Sequence, residues 1–235
     1  MASFADRLKA APVMLTDGGI ETRLIYEFNR PLPDFASFLP LFDREGRRAL
    51  AAIYRSYMEV AADHDLPMQI GTPTWRAHPE GLARQGFAAA GDLARVNGEA
   101  VTFLADMRRD LGLDGQVFIA GVIGPRRDGY DPHGAPDAAE AETYHMPQVR
   151  VLAGLGVDLL YAPTFASTEE LLGVARLRCD RSALCAGAGD RSRRTPAGRH
   201  AARRCHCAHR RGRHAAAASL PGRLRAPDAL QRGGG

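Results

Sequence analysis

The chain has 235 residues, 45% of them hydrophobic and 25% charged, and a formal net charge of +4. That balance suits one large globular domain or two small ones. No apolar run reaches the length of a membrane span, and the N-terminal residues lack an apolar core followed by a small-residue cleavage site, so a cytoplasmic protein without a membrane partner is expected.

The first 175 residues read as alternating strand and helix. "VMLT" (13–16) is a short apolar run ending in Asp17-Gly18-Gly19, a strand entering a turn. Residues 46–65 place Leu50, Ile53, Tyr54, Tyr57, Met58 and Ala61 at helical spacing. "PMQIGT" (67–72) is a second strand. Residues 89–112 form a second helix with Leu93, Val96, Ala100, Phe103, Leu104 and Met107 on one face. "QVFIAGVIG" (116–124) is a third strand, and residues 136–156 a third helix that Pro147 is expected to kink. "VDLLYAP" (157–163) is a fourth strand. A fourth helix opens at "STEELLGVAR" (167–176), where Ser167 and Glu170 have capping-box spacing.

Consecutive strand–helix units with short connections imply parallel strands. Two closures are open: a doubly wound sheet or a (β/α)8 barrel. The first turn lacks Gly-x-Gly-x-x-Gly, which disfavours a dinucleotide fold. In either closure chemistry belongs at the carboxyl ends of the strands, where Asp17, Thr72, Thr74, Gly121 and Thr164 fall. Trp75 and Arg76 read as pocket lining for the same reason. Tyr54, Tyr57 and His145 fit core packing better than a site, and the loop "PRRDGYDPHG" (125–134) is expected to lie over the site's mouth.

The net charge hides a sharp division. Residues 176–235 hold 15 Arg and 3 Asp, a balance of +12, which leaves −8 for residues 1–175. This segment contains no Val, Ile, Phe, Tyr, Trp or Met but all four cysteines, Cys179, Cys185, Cys205 and Cys207. With so few apolar residues it has little to bury against the entropy of ordering. An irregular or disordered Arg-rich tail, not a domain, is expected from 176 onward.

Four segments, in order, resemble the homocysteine S-methyltransferase family. "LTDGGIETRL" (15–24) is similar to its opening motif, "TPTWRAHPEGL" (72–82) to its second-strand segment, and "AGVIGPRRDGY" (120–130) to its Gly-x-x-Gly-Pro loop. "AEAETYHMPQVRVLAGLGVDLL" (139–160) resembles its Tyr-His-x-x-Gln helix and following strand. The resemblance implies a (β/α)8 barrel, of which residues 1–175 would form half. It implies a small-molecule thiol acceptor such as homocysteine, a sulfonium or ammonium methyl donor, and a place in methionine biosynthesis. It also implies a zinc ion, held by three cysteine thiolates, that keeps the acceptor sulfur ionised. Asp17, Gly18 and Gly19 would then form the pocket floor, Thr72 and Trp75 would line it, and Gly121 would leave room for substrate. Where the family usually has a Glu that holds the substrate's amino group, this chain has Pro163.

None of the family's zinc-ligand cysteines has a counterpart, so no metal ligand is assigned. Cys205, His206, Cys207 and His209 do not have a standard zinc spacing. A basic arm for nucleic acid would lack lysine and stacking aromatics, so no specific nucleic-acid partner is expected. A shift of reading frame accounts for the composition, the abrupt boundary and the missing ligands together. A permitted codon choice for residues 179–231, read one base on, yields strand-like ALALVI, helix-like PLADAIAHIDAAV and strand-like RYLVAC ending in Cys-Ala-His-Pro. On that reading the chain is truncated and its activity negligible.

Overall fold

The computed structural model describes residues 3–11 and 13–177. The Arg-rich segment beyond Leu177, with its four cysteines and the His206 and His209 set, lies outside the described residues.

In chain order the elements are α1 (Phe4–Ala10), β1 (Leu15–Thr16), α2 (Ile20–Tyr26), α3 (Arg44–His64), β2 (Met68–Gly71), α4 (Pro79–Arg84), α5 (Asp92–Asp110), β3 (Val117–Val122), α6 (Ala138–Gly154), β4 (Leu159–Tyr161) and α7 (Thr168–Arg176), with two 3-10 turns at Pro33–Phe35 and Leu39–Phe42. All four expected strands form, each shorter than its apolar run. All four expected helices form within a few residues of their periodic patterns. The short helices α1, α2 and α4 carry too few turns to show a period in sequence. Each long helix starts on a side-chain cap or a turn: Asp43 accepts from Gly46 N–H for α3, and Asp137 accepts from Ala139 and Glu140 N–H for α6. The α3 helix stops at Asp65, whose backbone turns left-handed at φ 51°.

The strands pair in parallel in the order β1-β2-β3-β4. A doubly wound sheet reverses its order at a switch point and carries helices on both faces. Here the order is sequential. Met68, Ile70, Val117 and Ile119 on one face join the core built by Leu50, Ile53 and Met58 of α3 and Ala100 and Leu104 of α5. The opposite face carries Gly71 and Val122, whose positions meet across the sheet, and Phe118, whose ring packs edge-on against Phe4 of α1 at 5.6 Å. The protein is an α/β fold with a parallel four-stranded sheet among the described residues, part of a (β/α)8-type barrel.

Pro147 lies inside α6, which continues past it to Gly154. One expectation about α7 needs correction. Ser167 caps α7 by accepting from Glu170 N–H at 3.3 Å, but the Glu170 side chain does not complete a capping box. It turns inward, where its carboxylate accepts from His145 Nε2 and from the backbone N–H of Arg126. His145 is fully buried, and a buried donor left alone there would cost about 1–3 kcal/mol.

Candidate active site

A cavity of about 350 Å³ opens at the carboxyl ends of the four strands. Its floor is the turn after β1. Asp17 accepts a hydrogen bond from Gly71 N–H at 3.0 Å, which ties the β1 turn to the end of β2. Burial pushes the Asp17 carboxyl up to about 6, against the pull of the Gly71 bond, and nearby Glu21 adds to the rise. The carboxylate is therefore ionised at neutral pH but held at a cost that a cation would relieve. Gly19 enters α2 at φ 61°, a left-handed conformation that suits glycine, and Gly18 and Gly19 both line the cavity.

Tyr54, read from sequence as core, is core and site at once. It is fully buried, donates to Gly71 O at 2.8 Å and still faces the cavity. Burial first, then the charges of Asp17 and Glu21, push its phenol well above the ordinary range, so it remains a neutral donor. Helical periodicity showed its inward side but not that its hydroxyl reaches a strand end. Tyr57, on the same helix, donates to Gly18 O at 2.7 Å and so also holds the floor turn.

Thr72 lines the cavity, but its hydroxyl is already used. It accepts from Val122 N–H at 3.0 Å and meets the Thr74 hydroxyl at 2.7 Å, which in turn donates to Val122 O at 2.7 Å. These bonds have one consistent direction: Val122 N–H to Thr72, Thr72 to Thr74, Thr74 back to Val122 O. The two threonines thus extend the β2–β3 ladder past its last regular pair. Trp75 forms a wall; its indole N–H donates to Pro163 O at 3.2 Å. Gly121 does not join the site. A side chain there would meet Leu152 of α6 and Leu160 of β4 at 3.2 Å, so its small size serves helix packing instead.

Glu21, one of the first-turn residues of α2, completes the charged lining. Ser37 donates to its carboxylate at 2.7 Å. Phe35, Tyr130 and Tyr161 supply further aromatic walls, and among the described residues no Lys, Arg or His lines the cavity. The loop 125–134 does lie at the mouth, through Tyr130, but Arg126 is not free to steer a substrate, because Glu80 accepts from it at 2.8 and 2.6 Å. His145 is buried away from the cavity lining and pairs with Glu170 at 2.9 Å.

The described residues contain no cysteine, and among them no group of three or more His, Cys, Asp or Glu could hold a metal ion. The cavity's two carboxylates are hard oxygen donors, not the thiolate set that the resemblance implies. The described residues therefore do not fit a thiolate-bound zinc.

The sheet and its cavity define a (β/α)8-type barrel protein with its pocket at the strand ends. The family model for homocysteine S-methyltransferase matches residues 14–208, and the chain belongs to that family. Two crystal structures of the homocysteine methyltransferase MmuM from Escherichia coli, a metallated and an oxidized form, share the fold at TM-score 0.61 with 20% identity. The match covers 72% of this chain and 60% and 59% of those chains, so this chain spans about 60% of the length of the structures it resembles. No curated protein matches the chain by sequence. No helix among the described residues is long and apolar enough to cross a membrane.

Proposed function

We propose that the cavity is the substrate site of an enzyme that transfers a methyl group from a sulfonium or ammonium donor to a small thiol such as homocysteine. One observation carries this reading: the described residues place two carboxylates and no cation in the cavity, with aromatic walls around them. Such a site favours a cationic ligand, by charge and by cation–π attraction. In the reaction the acceptor sulfur, as thiolate, forms a bond to the methyl carbon. The donor's carbon–sulfur or carbon–nitrogen bond breaks, and its electron pair leaves with a neutral sulfide or amine. With Pro163 in place of the usual carboxylate, Asp17 and Glu21 are assigned to the substrate's ammonium. Asp17, Gly18, Gly19, Thr72 and Trp75 form the binding surface, with Tyr54 added and Gly121 left to packing. A cytoplasmic setting suits a reaction that needs a reduced thiol.

We further propose that the 235-residue chain has negligible turnover, since its described residues offer no thiolate set to ionise the acceptor. The composition break at Arg176 supports an out-of-frame tail; the family match to residue 208 counts against a break there. Sequencing the gene past the codon for Arg176 decides: an open alternate frame leading to a Gly-Gly-Cys-Cys segment supports the shift, and none refutes it.

Ligand binding tests the site itself. Homocysteine is expected to change the emission of Trp75, the chain's single tryptophan. Affinity should fall as pH drops through about 6, where Asp17 takes up a proton and loses its charge. Asp17→Asn should remove that pH dependence and weaken binding on the order of tenfold, about 1.4 kcal/mol. An unchanged affinity in Asp17→Asn would sink the assignment. Zinc analysis alongside a methyl-transfer assay tests the second claim: one tightly held zinc with turnover would overturn it.

A further inference from the structure

We infer that Arg76 is a positioning residue that sets the shape of the cavity, acting through three wall-bearing segments that converge on its guanidinium. This inference rests on reading the cavity as the substrate site.

The first segment is its own. The guanidinium carbon lies 4.1 Å from the centre of the Trp75 ring, a stacked arrangement that holds the indole from one side. The other sides of Trp75 are in close contact with backbone: a side chain at Gly124 would lie 2.7 Å from the ring, and one at Gly129 would lie 3.2 Å from it. The second segment is the loop after β3. Arg76 Nη1 donates to Pro125 O at 3.0 Å and to Arg127 O at 2.6 Å, just before Tyr130 enters the cavity lining. The third is the turn at Pro33–Phe35. Arg76 Nε lies 3.7 Å from Asp34 Oδ1, and Arg84 donates to Asp34 Oδ2 at 2.9 and 2.7 Å. Asp34 and Phe35 both hold φ of 54°, and Phe35 is a cavity wall.

Two successive left-handed residues that are not glycine are strained, and such a backbone persists only where its surroundings over-determine it. The two arginines on Asp34 are those surroundings. Arg76 is itself 6% exposed, so its charge is carried into the protein's interior. A packing role alone would be met by an apolar side chain of equal length. The fork geometry is needed because one planar group must stack on an indole and donate to two carbonyls while facing a carboxylate. Phe35, Trp75 and Tyr130 thus take their positions from one residue.

Arg76→Lys keeps the charge and loses the fork, so it separates positioning from charge. In the full chain, well below its melting temperature, Arg76→Lys should shift Trp75 emission to the red and raise its quenching by acrylamide. Homocysteine affinity should fall by about ten- to a hundredfold, the scale of a wall misplaced by about 1 Å. Asp34→Asn, which removes one arm, should move the same readouts less, and it carries the test if Arg76→Lys does not fold. A lowered melting temperature with native-state emission, quenching and affinity all unchanged would overturn the inference. The quenching comparison needs no ligand. A wild-type chain that ignores homocysteine would therefore refute the substrate reading, while the Arg76 inference would still be decided by quenching.

Discussion

The two sides of the sheet's helical layer are built by different means. On the α3–α5 side, Leu50, Ile53, Met58, Ala100 and Leu104 pack against Met68, Ile70, Val117 and Ile119 in one large apolar cluster. On the α6–α7 side, the buried cluster among the described residues is smaller: Ile123, Val149 and Leu152, joined by Val101 of α5. Directional contacts do the rest there. His145 meets Glu170, and Gln148 donates to Thr74 O at 3.0 Å and to Asn97 Oδ1 of α5 at 3.2 Å. Apolar burial is roughly proportional to area and tolerant of angle. Hydrogen bonds between buried groups fix direction as well as distance. The first side supplies stability; the second aims the loops after β2 and β3 at the cavity.

The comparison can be broken in three ways, the largest effect first. Leu104→Ala on the α3–α5 side removes a fully buried side chain from the apolar cluster. It should cost about 2–5 kcal/mol in denaturant unfolding, with ligand affinity in the surviving folded fraction unchanged. A large affinity loss there would mean that the two sides are not separable.

Gly173→Ala tests the other side. Its new methyl would lie 2.5 Å from Ala138 O and from Ala141 Cβ, both on α6. The helices must move apart, at a cost of about 1–3 kcal/mol as for other overpacked sites. Because α7 carries Glu170 and so the Arg126 backbone, ligand affinity should fall together with stability. Unchanged affinity would show that α7 does not aim the loop.

The smallest effect near neutrality is a pH dependence. Burial, with Arg76 and Arg84 nearby, pushes His78 down to about 3 from its ordinary 6.5. Below about 6.5 the unfolded chain therefore takes up a proton that the folded one refuses, and stability falls as pH drops from 6.5 toward 3. Asp17 works in the opposite sense: its carboxyl, raised from 3.8 to about 6, binds a proton first in the fold and adds stability as pH drops from 6 to 4. His78→Asn keeps a capping side chain for Gly81 N–H, which His78 Nδ1 now serves at 3.1 Å. Melting curves across pH 4 to 7 should show the wild type losing stability on acidification relative to His78→Asn. Parallel curves would mean that His78 is protonated in the fold.

Much of this architecture was legible before any coordinates. The short apolar runs gave the four strands, and the 3.6-residue period gave α3 and α5. The Asp-Gly-Gly turn and the Thr-x-Thr segment marked the strand ends that became the floor and rim of the cavity. What was illegible has a common cause. Thr72 lines the cavity, but that its hydroxyl also closes the β2–β3 ladder was not legible. Gly121 was expected at the substrate, yet it faces Leu152. Tyr54 was assigned to core and reaches the site as well. A sequence period says which face a residue takes; it does not say which partner waits on that face.

Local physics was thus enough to determine where strands and helices form, because those depend on side-chain spacing, caps and turns within a few residues. The four family segments added the class. Tertiary structure alone decided that Asp17 and Glu21 share one cavity, that Glu170 abandons its helix cap for His145 and Arg126, and that Arg76 meets three segments at once. Such pairings join residues up to 88 positions apart in the chain, as Trp75 and Pro163 show. They exist because burial forces each polar group to find a partner among whatever the folded sheet brings near.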